Sequence, residues 1–160
     1  MSEKRSEGQG AAGRSGDGRK ERSVTVIICV EERGGMLFNG KRLSRDSALL
    51  QDVAALHGAC GGELWMNEYS DELFSRYGVS GQICDADFLS KAGADDLCFV
   101  EDCDLRPYRD KITCIVRYCW NRRYPADLRF DEALLEGFSL IETREFPGSS
   151  HEKITREVYR

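Results

Sequence analysis

The sequence predicts a single α/β domain in which helices flank a mixed β-sheet, giving a three-layer arrangement. Early in the chain, apolar runs of strand length alternate with segments of helical period, an order typical of parallel strands joined by helices. Late in the chain, two strand-like segments flank a Pro-Gly-Ser-Ser turn, which predicts an antiparallel C-terminal hairpin. The length of 160 residues suits one domain with its own hydrophobic core.

The N-terminal segment differs in composition from the rest of the chain. Residues 1–23 include five glycines and no aromatic residue, Val, Ile or Leu. Such a segment buries too little apolar surface to offset the entropy of ordering it, so we expect a disordered tail followed by one folded domain at 24–160. The whole chain carries a net charge of -5, which disfavours general nucleic-acid binding because domains with that function are usually basic.

The first predicted elements are a strand, a turn and a helix. The run VTVIICV at 24–30 is continuous and β-branched, which is typical of a strand buried on both faces. Asn39-Gly40 is a tight-turn signal. The segment from Asp46 to His57 has helical period, with Asp46 as its N-cap and Gly58 as its end.

The middle of the chain continues the alternation. ELWM at 63–66 predicts a second strand, and Ser70 is placed to cap a helix that ends at Gly78. A further short helix is expected to begin at Asp85 or Asp87.

The last predicted elements are strands. LCFVE at 97–101 predicts a third buried strand, and the alternating run at 111–120 predicts the longest strand of the sheet. The segments 138–146 and 151–159 form the two arms of the predicted hairpin, although the second arm also has apolar residues at helical spacing.

The cysteines and the N-terminus together favour a reducing compartment. The chain has seven cysteines, an odd number, and its first residues contain no apolar leader. Cys114 and Cys119 lie in an alternating strand at an odd separation, so they face opposite sides of the sheet and do not share one metal ion. No apolar run approaches the roughly 18 residues of a membrane span. We therefore expect a cytoplasmic protein with no metal site and no membrane contact.

The order of the segments resembles the dihydrofolate reductase fold family along most of residues 24–160. VTVIICVEERGGMLFNGKR is similar to that family's first strand and the loop after it. ELWMNEYSDELF resembles the strand and turn that hold the cofactor's phosphates. DKITCIVRYCWNRRYPADLRFD and FSLIETREFPGSSHEKITREVY resemble the family's long strand and closing hairpin. The resemblance implies a dihydrofolate-reductase-like fold and, in a working family member, NADPH-dependent reduction.

The residues at the family's cofactor-binding positions differ from its pattern. Where the family has a Gly-Arg-Lys-Thr type of turn, this chain has Asn67, Glu68, Tyr69 and Ser70, of which Ser70 keeps a hydroxyl. Where the family has a Gly-Gly pair, this chain has Glu101-Asp102, whose carboxylates add bulk and repel a diphosphate. We therefore expect no cofactor and no working NADPH reductase.

Two further positions complete the set of candidate site residues. Asp46 is the nearest match to the family's substrate carboxylate, about one turn early, and is the candidate catalytic residue. Trp65 is expected near the end of a strand where open α/β sheets bind ligands. The candidate ligand-binding residues are thus Trp65, Ser70, Glu101 and Asp102.

Three hypotheses for function follow. The first is a dihydrofolate-reductase-like protein that has lost cofactor binding and acts as a small-molecule-binding or accessory protein. The second is a divergent reductase that uses NADPH. The third is an RNA-associated protein, because the sequence is also similar to short bacterial proteins labelled ribonuclease Z and because RYCWNRRYP at 117–125 mixes arginines with aromatic residues. The metal-dependent hydrolysis which that label implies needs a histidine cluster, whereas this chain has two isolated histidines, His57 and His151.

Overall fold

The computed structural model describes residues 23–32, 34–38, 41–120, 126, 128–150 and 152–160. The predicted tail, apart from Ser23, and the predicted Asn39-Gly40 turn lie outside these residues. Within the described ranges, no helix combines the length and the apolar character needed to cross a membrane.

The described residues form ten strands, three α-helices and two short 3-10 helices. The strands are β1 (Val24–Val30), β2 (Gly35–Phe38), β3 (Lys41–Arg42), β4 (Leu64–Met66), β5 (Ile83–Cys84), β6 (Leu97–Phe99), β7 (Ile112–Trp120), β8 (Leu128–Arg129), β9 (Leu140–Phe146) and β10 (Ile154–Tyr159). The helices are α1 (Ser47–Cys60), α2 (Glu68–Arg76) and α3 (Phe88–Lys91), and the 3-10 helices span Arg106–Lys111 and Glu132–Leu135.

The main sheet is mixed, as the sequence predicts. Its seven strands lie in the order β5-β4-β6-β1-β7-β10-β9. The first five strands of this order, β5, β4, β6, β1 and β7, run parallel to one another. β10 is antiparallel to both β7 and β9. The C-terminal hairpin is therefore confirmed, and the helical alternative for its second arm is wrong because β10 bonds to a strand on each side.

The sheet separates two hydrophobic cores, which gives the predicted three layers. Ile27 and Cys29 of β1 face the core that α1 and α2 cover. Val26 and Ile28 alternate with them and face the second core, which α3 and the 3-10 segment near Leu134 cover. Because β1 is buried on both faces, its sequence is a continuous apolar run instead of an alternating one.

The first helix begins where the sequence predicts and ends one turn later. The Asp46 carboxylate accepts hydrogen bonds from the backbone N–H groups of Ala48 and Leu49, which confirms it as the N-cap. The predicted end at Gly58 is wrong, because the helix runs to Cys60 and stops at Gly61. Gly61 has a φ of 79°, a left-handed conformation that glycine adopts without steric cost.

The second helix begins earlier than predicted. Asn67, not Ser70, is its N-cap, and the Asn67 side chain accepts the Ser70 backbone N–H. The Ser70 hydroxyl instead donates to a carboxylate on another element.

The structure also contains a small sheet in the order β3-β2-β8. β8 has too few residues to show a strand pattern in the sequence.

A polar cluster on the first core face ties α1 to the C-terminal strands. The Asp52 carboxylate on α1 accepts hydrogen bonds from the Tyr118 hydroxyl at 2.5 Å, from Arg156 at 2.7 Å and from Arg144 at 2.8 Å. Burial would raise the pKa of Asp52, but the hydrogen bonds from Tyr118 and Arg156 outweigh it and hold the pKa below its ordinary value. One carboxylate therefore anchors α1 to β7, β9 and β10.

Replacing this carboxylate should destabilise the fold strongly. We expect Asp52→Asn to lower the free energy of unfolding by about 2 to 4 kcal/mol, because it leaves Arg156 and Arg144 facing a neutral group. The control Tyr118→Phe keeps both ion pairs and should cost only about 1 kcal/mol. Urea unfolding followed by circular dichroism measures both, and equal losses would contradict this ranking.

A second carboxylate ties α1 to the loop of the C-terminal hairpin. Besides capping the helix, Asp46 accepts hydrogen bonds from the backbone N–H of Ser149 at 3.1 Å and of Ser150 at 2.8 Å. The Ser150 hydroxyl lies 3.0 Å from the same carboxylate. Burial opposes ionisation, but the bonds from Ser150, Ser149 and Leu49 dominate and hold the pKa of Asp46 well below its usual range.

The depressed pKa of Asp46 predicts a pH-dependent contribution to stability. Because the folded-state pKa lies below the unfolded value of about 4, the contribution is complete above pH ~4 and is lost as the pH falls through the folded-state pKa. We expect Asp46→Ala to cost about 2 to 4 kcal/mol near neutral pH and much less near pH 2. The loss of stability caused by Asp46→Asn, which keeps one acceptor oxygen, should be smaller near neutral pH than the loss caused by Asp46→Ala. Thermal unfolding from pH 2 to pH 7 tests this, and a loss that does not change with pH would refute it.

Candidate functional site

The candidate site lies at the carboxyl edge of the parallel strands. Met66 ends β4 and Phe99 ends β6, and these two strands are parallel neighbours, so the chain leaves both of them at the same edge. The turn after β4 carries Asn67 and Ser70, and the turn after β6 carries Glu101 and Asp102. Carboxyl edges of open α/β sheets are where such folds bind ligands.

A buried carboxylate lies at the centre of this edge. Phe99 belongs to the first core, and Glu101, two residues later, turns its side chain to the same face. The Glu101 side chain is only 3% exposed. One of its oxygens accepts the Ser70 hydroxyl at 2.8 Å, and the other accepts the Ser44 hydroxyl.

An arginine at the end of β3 compensates this charge. Arg42 Nε lies 3.5 Å from the Glu101 carboxylate, and its side chain is 6% exposed. The same guanidinium donates to the Tyr69 carbonyl at 2.9 Å and stacks over the Tyr69 ring at 3.9 Å. Arg42 is therefore held in place by groups of the chain itself.

The electrostatics of Glu101 are a balance of opposing effects. Burial raises its pKa above the ordinary value, and the hydroxyl of Ser44, the charge of Arg42 and the hydroxyl of Ser70 act in the opposite direction. Asp102 adds a smaller effect that raises the pKa. A net rise remains, which means that the site stabilises the charged carboxylate less well than water does.

A second contact joins the same two turns. The Asn67 side chain donates to the Asp102 carboxylate at 2.9 Å. The structure therefore brings Ser70, Glu101 and Asp102 together, as the sequence analysis grouped them.

The other two candidate residues lie elsewhere. Trp65 packs against the second core, and its indole donates to Asp96, which precedes β6 at the opposite edge of the sheet. Asp46 lies on the same side as Glu101, and both carboxylates contribute to raising the pKa of Cys29, for which burial is the main cause. The Asp46 oxygens, however, are engaged by Ser149 and Ser150.

Sequence reasoning missed two partners of Glu101, Arg42 at the end of β3 and Ser44 in the loop before α1. Neither Arg42 nor Ser44 is among the candidate residues of the sequence analysis, and Ser44 lies 57 residues from Glu101 in the chain. A buried acid after β6 implies that a cation lies nearby, but the sequence does not show which of the many arginines supplies it.

The arginine-rich segment at 117–125 is only partly described. Arg122, Arg123 and Tyr124 lie outside the described residues. Arg117 is paired with Glu132 at 2.8 Å and with Glu157 at 2.9 Å. Tyr118 and Trp120 are 0% and 1% exposed, so neither side chain offers a face on which a base could stack.

The same edge of the sheet carries a cleft at the ends of β1 and β7. It has a volume of about 350 Å³ and is lined by Val30, Glu31, Glu32, Gly34, Arg117, Cys119, Trp120 and Glu132. Burial is the main cause that raises the pKa of the Cys119 thiol to about 12. The thiol is therefore protonated near neutral pH and is not an activated nucleophile.

The described part of the chain contains no group of three or more His, Cys, Asp or Glu side chains placed to hold a metal ion.

The comparison with known proteins identifies the fold. No protein-family model and no curated protein sequence matches the chain. Among solved structures, the chain is similar to dihydrofolate reductase from Enterococcus faecalis complexed with NADP(H) and RAB-propyl. The TM-score is 0.60 at 12% sequence identity, over 88% of this chain and 96% of that chain. The predicted resemblance is thereby confirmed at the level of the fold: this chain has a dihydrofolate-reductase-like fold.

Proposed function

We propose that this protein has lost the nicotinamide-cofactor site of its fold and acts as a small-molecule-binding or accessory protein. The observation that carries the proposal is the buried Glu101 carboxylate, which joins the turn after β6 to Ser70 in the turn after β4. By resemblance, these are the two turns that hold the cofactor's phosphates in the family. Here their polar groups are engaged with each other.

The charges at the two turns also oppose a dinucleotide. By the resemblance, Glu68, Glu101 and Asp102 place three acidic residues at the two turns along which a diphosphate would have to lie. At an effective dielectric of ~20, a like charge at ~4 Å costs up to ~4 kcal/mol before relaxation. Arg42 offsets part of this repulsion, but its guanidinium already contacts Glu101 and Tyr69.

The small-molecule part of the proposal rests on the cleft at the ends of β1 and β7. Its volume of about 350 Å³ falls in the range of ligand pockets. Val30 supplies apolar surface, while Glu132 and Arg117 supply polar groups at its wall. Because the Cys119 thiol stays protonated, the cleft favours reversible binding over covalent catalysis.

Calorimetric titration with NADPH tests the loss of the cofactor site. We expect no binding to the native chain at micromolar concentrations and no reduction of dihydrofolate. The triple variant Glu68→Arg, Glu101→Gly, Asp102→Gly should bind NADPH at least about tenfold more tightly, because it removes the repulsion and releases Arg42 toward the phosphates.

Two controls make this titration decisive. Glu72→Arg makes the same charge change one helical turn after Glu68 on α2, at an exposed residue that pairs with Arg76, and should raise affinity much less than the triple variant does. Circular dichroism checks that the triple variant folds. Tight binding by the native chain would overturn the proposal in favour of a divergent NADPH-dependent reductase. Non-binding by a folded triple variant would show that the carboxylates are not what excludes the nucleotide.

A thermal-shift screen with a small-molecule library tests the cleft. Compounds that raise the midpoint of the native chain should fail to do so for Cys119→Phe, because the added ring fills the cleft. The matched control Cys84→Phe places the same ring at an exposed position away from the cleft, and should respond like the native chain. Equal responses of the two variants would place the ligand elsewhere.

A further inference from the structure

The C-terminal edge of the main sheet has an unusual surface. β9 is the last strand of the sheet and pairs with β10 on one side. Leu140 and Ile141 at its start are 50% and 52% exposed, and they are the large hydrophobic residues that the described part of the chain leaves exposed. Exposed apolar side chains on an edge strand are a typical sign of strand pairing with another chain.

The strand carries two of the usual devices that prevent such pairing, charged side chains and one bulge, but it is neither short nor interrupted by proline. It is seven residues long, and its sequence LIETREF contains neither Lys nor Pro. One bulge occurs where Leu140 and Ile141 lie opposite Tyr159, and regular pairing with β10 runs from Glu142 to Phe146. The outer edge of this regular stretch presents backbone N–H and C=O groups in a row.

The charges of β9 are complementary to those of a reversed second copy. In a two-fold symmetric antiparallel pair, one residue lies opposite its own counterpart, because hydrogen-bonded and non-hydrogen-bonded positions alternate. Centring the pair on Thr143 places Glu142 opposite Arg144 of the second copy, twice. Centring it on Glu142 or on Arg144 places like charges directly opposite, which is destabilising. Within the regular stretch from Glu142 to Phe146, Thr143 is therefore the centre that places opposite charges directly across from each other.

The side-chain contacts within one chain fit the same register. Glu142 accepts a hydrogen bond from Arg156 at 3.3 Å, and Arg144 donates one to Asp52 at 2.8 Å, on the same face of the strand. In each copy, Glu142, Arg156, Asp52 and Arg144 form one chain of alternating charges. A Glu142–Arg144 pair across the two-fold axis would join the chains of the two copies into one network. Leu140 and Ile141, beyond the bulge, would lie near the half-buried Phe146 of the second copy, which would cover part of their exposed surface.

We propose that β9 pairs antiparallel with β9 of a second copy of this chain, with Thr143 opposite Thr143, so that two seven-stranded sheets form one continuous sheet. This inference is independent of the proposed function, because Thr143 contacts neither the cleft nor Glu101.

Sedimentation equilibrium of the full chain tests the proposal. The native protein should have twice the 18.1 kDa mass of one chain. Thr143→Lys and Thr143→Glu each place two like charges face to face, and each should weaken the dimer by at least about tenfold. Thr143→Val keeps a β-branched residue of similar size without charge, and should remain dimeric.

Mixing the two charged variants tests the register itself. The lysine introduced by Thr143→Lys and the glutamate introduced by Thr143→Glu would lie opposite each other, so the mixture should recover the dimer that each variant alone has lost. A native chain that is monomeric at the highest attainable concentration overturns the proposal. A dimer that persists unchanged in Thr143→Lys, or a mixture that stays monomeric, overturns this register.

Discussion

β1 is buried, so its backbone N–H and C=O groups need hydrogen-bond partners within the protein. The rest of the fold depends on this constraint. This strand is buried on both faces and pairs with β7 along its whole length, from Val24 to Val30, and with β6 at its amino half. Buried N–H and C=O groups without partners would cost several kcal/mol, so both neighbours are required. The parallel pairing in turn requires chain segments that connect one strand to the next, and α1, α2, α3 and the 3-10 helix at Arg106–Lys111 lie in those connections. The two cores and the carboxyl edge follow from this arrangement.

The carboxyl edge shows how one fold can present different chemistry. Parallel pairing brings the ends of β4 and β6 together whatever residues follow them. In this chain, the residues that follow are hydroxyls, an amide and acids, which bond to each other. Desolvation makes a buried carboxylate such as Glu101 costly unless hydrogen bonds and a cation surround it. Ser44, Ser70 and Arg42 supply those contacts.

Two other carboxylates attach the C-terminal hairpin to the first helix. Asp52 reaches the strands and Asp46 reaches the loop, so the helix and the hairpin are fixed at two separate places. The hairpin extends the sheet beyond the area that the helices cover, which is why β9 is exposed on both of its faces. Anchoring by charge holds this strand in place without burying it, and leaves its outer edge accessible for pairing.

The sequence by itself determined the order and type of the main elements, but it did not show the short strands β2, β3, β5 and β8. Continuous apolar runs identified β1 and β6, alternation identified β7, and Asp46 marked the start of α1, because these signals depend only on neighbouring residues. It also determined that Cys114 and Cys119 face opposite sides of the sheet, since side chains alternate along any strand. The end of α1 at Gly61 instead of Gly58 shows the limit of local signals, because helix packing allowed one more turn.

Only the tertiary structure decided which polar groups meet. The resemblance to the dihydrofolate reductase fold family grouped Ser70, Glu101 and Asp102, but the candidate set also included Trp65, whose side chain turns to the other face and bonds to Asp96. Nothing in the sequence indicated that Arg42 and Ser44 complete the environment of Glu101. The physical reason is that a buried charge finds its partners through space, among residues far apart in the chain, whereas the periodicity of a sequence records only which face each residue occupies.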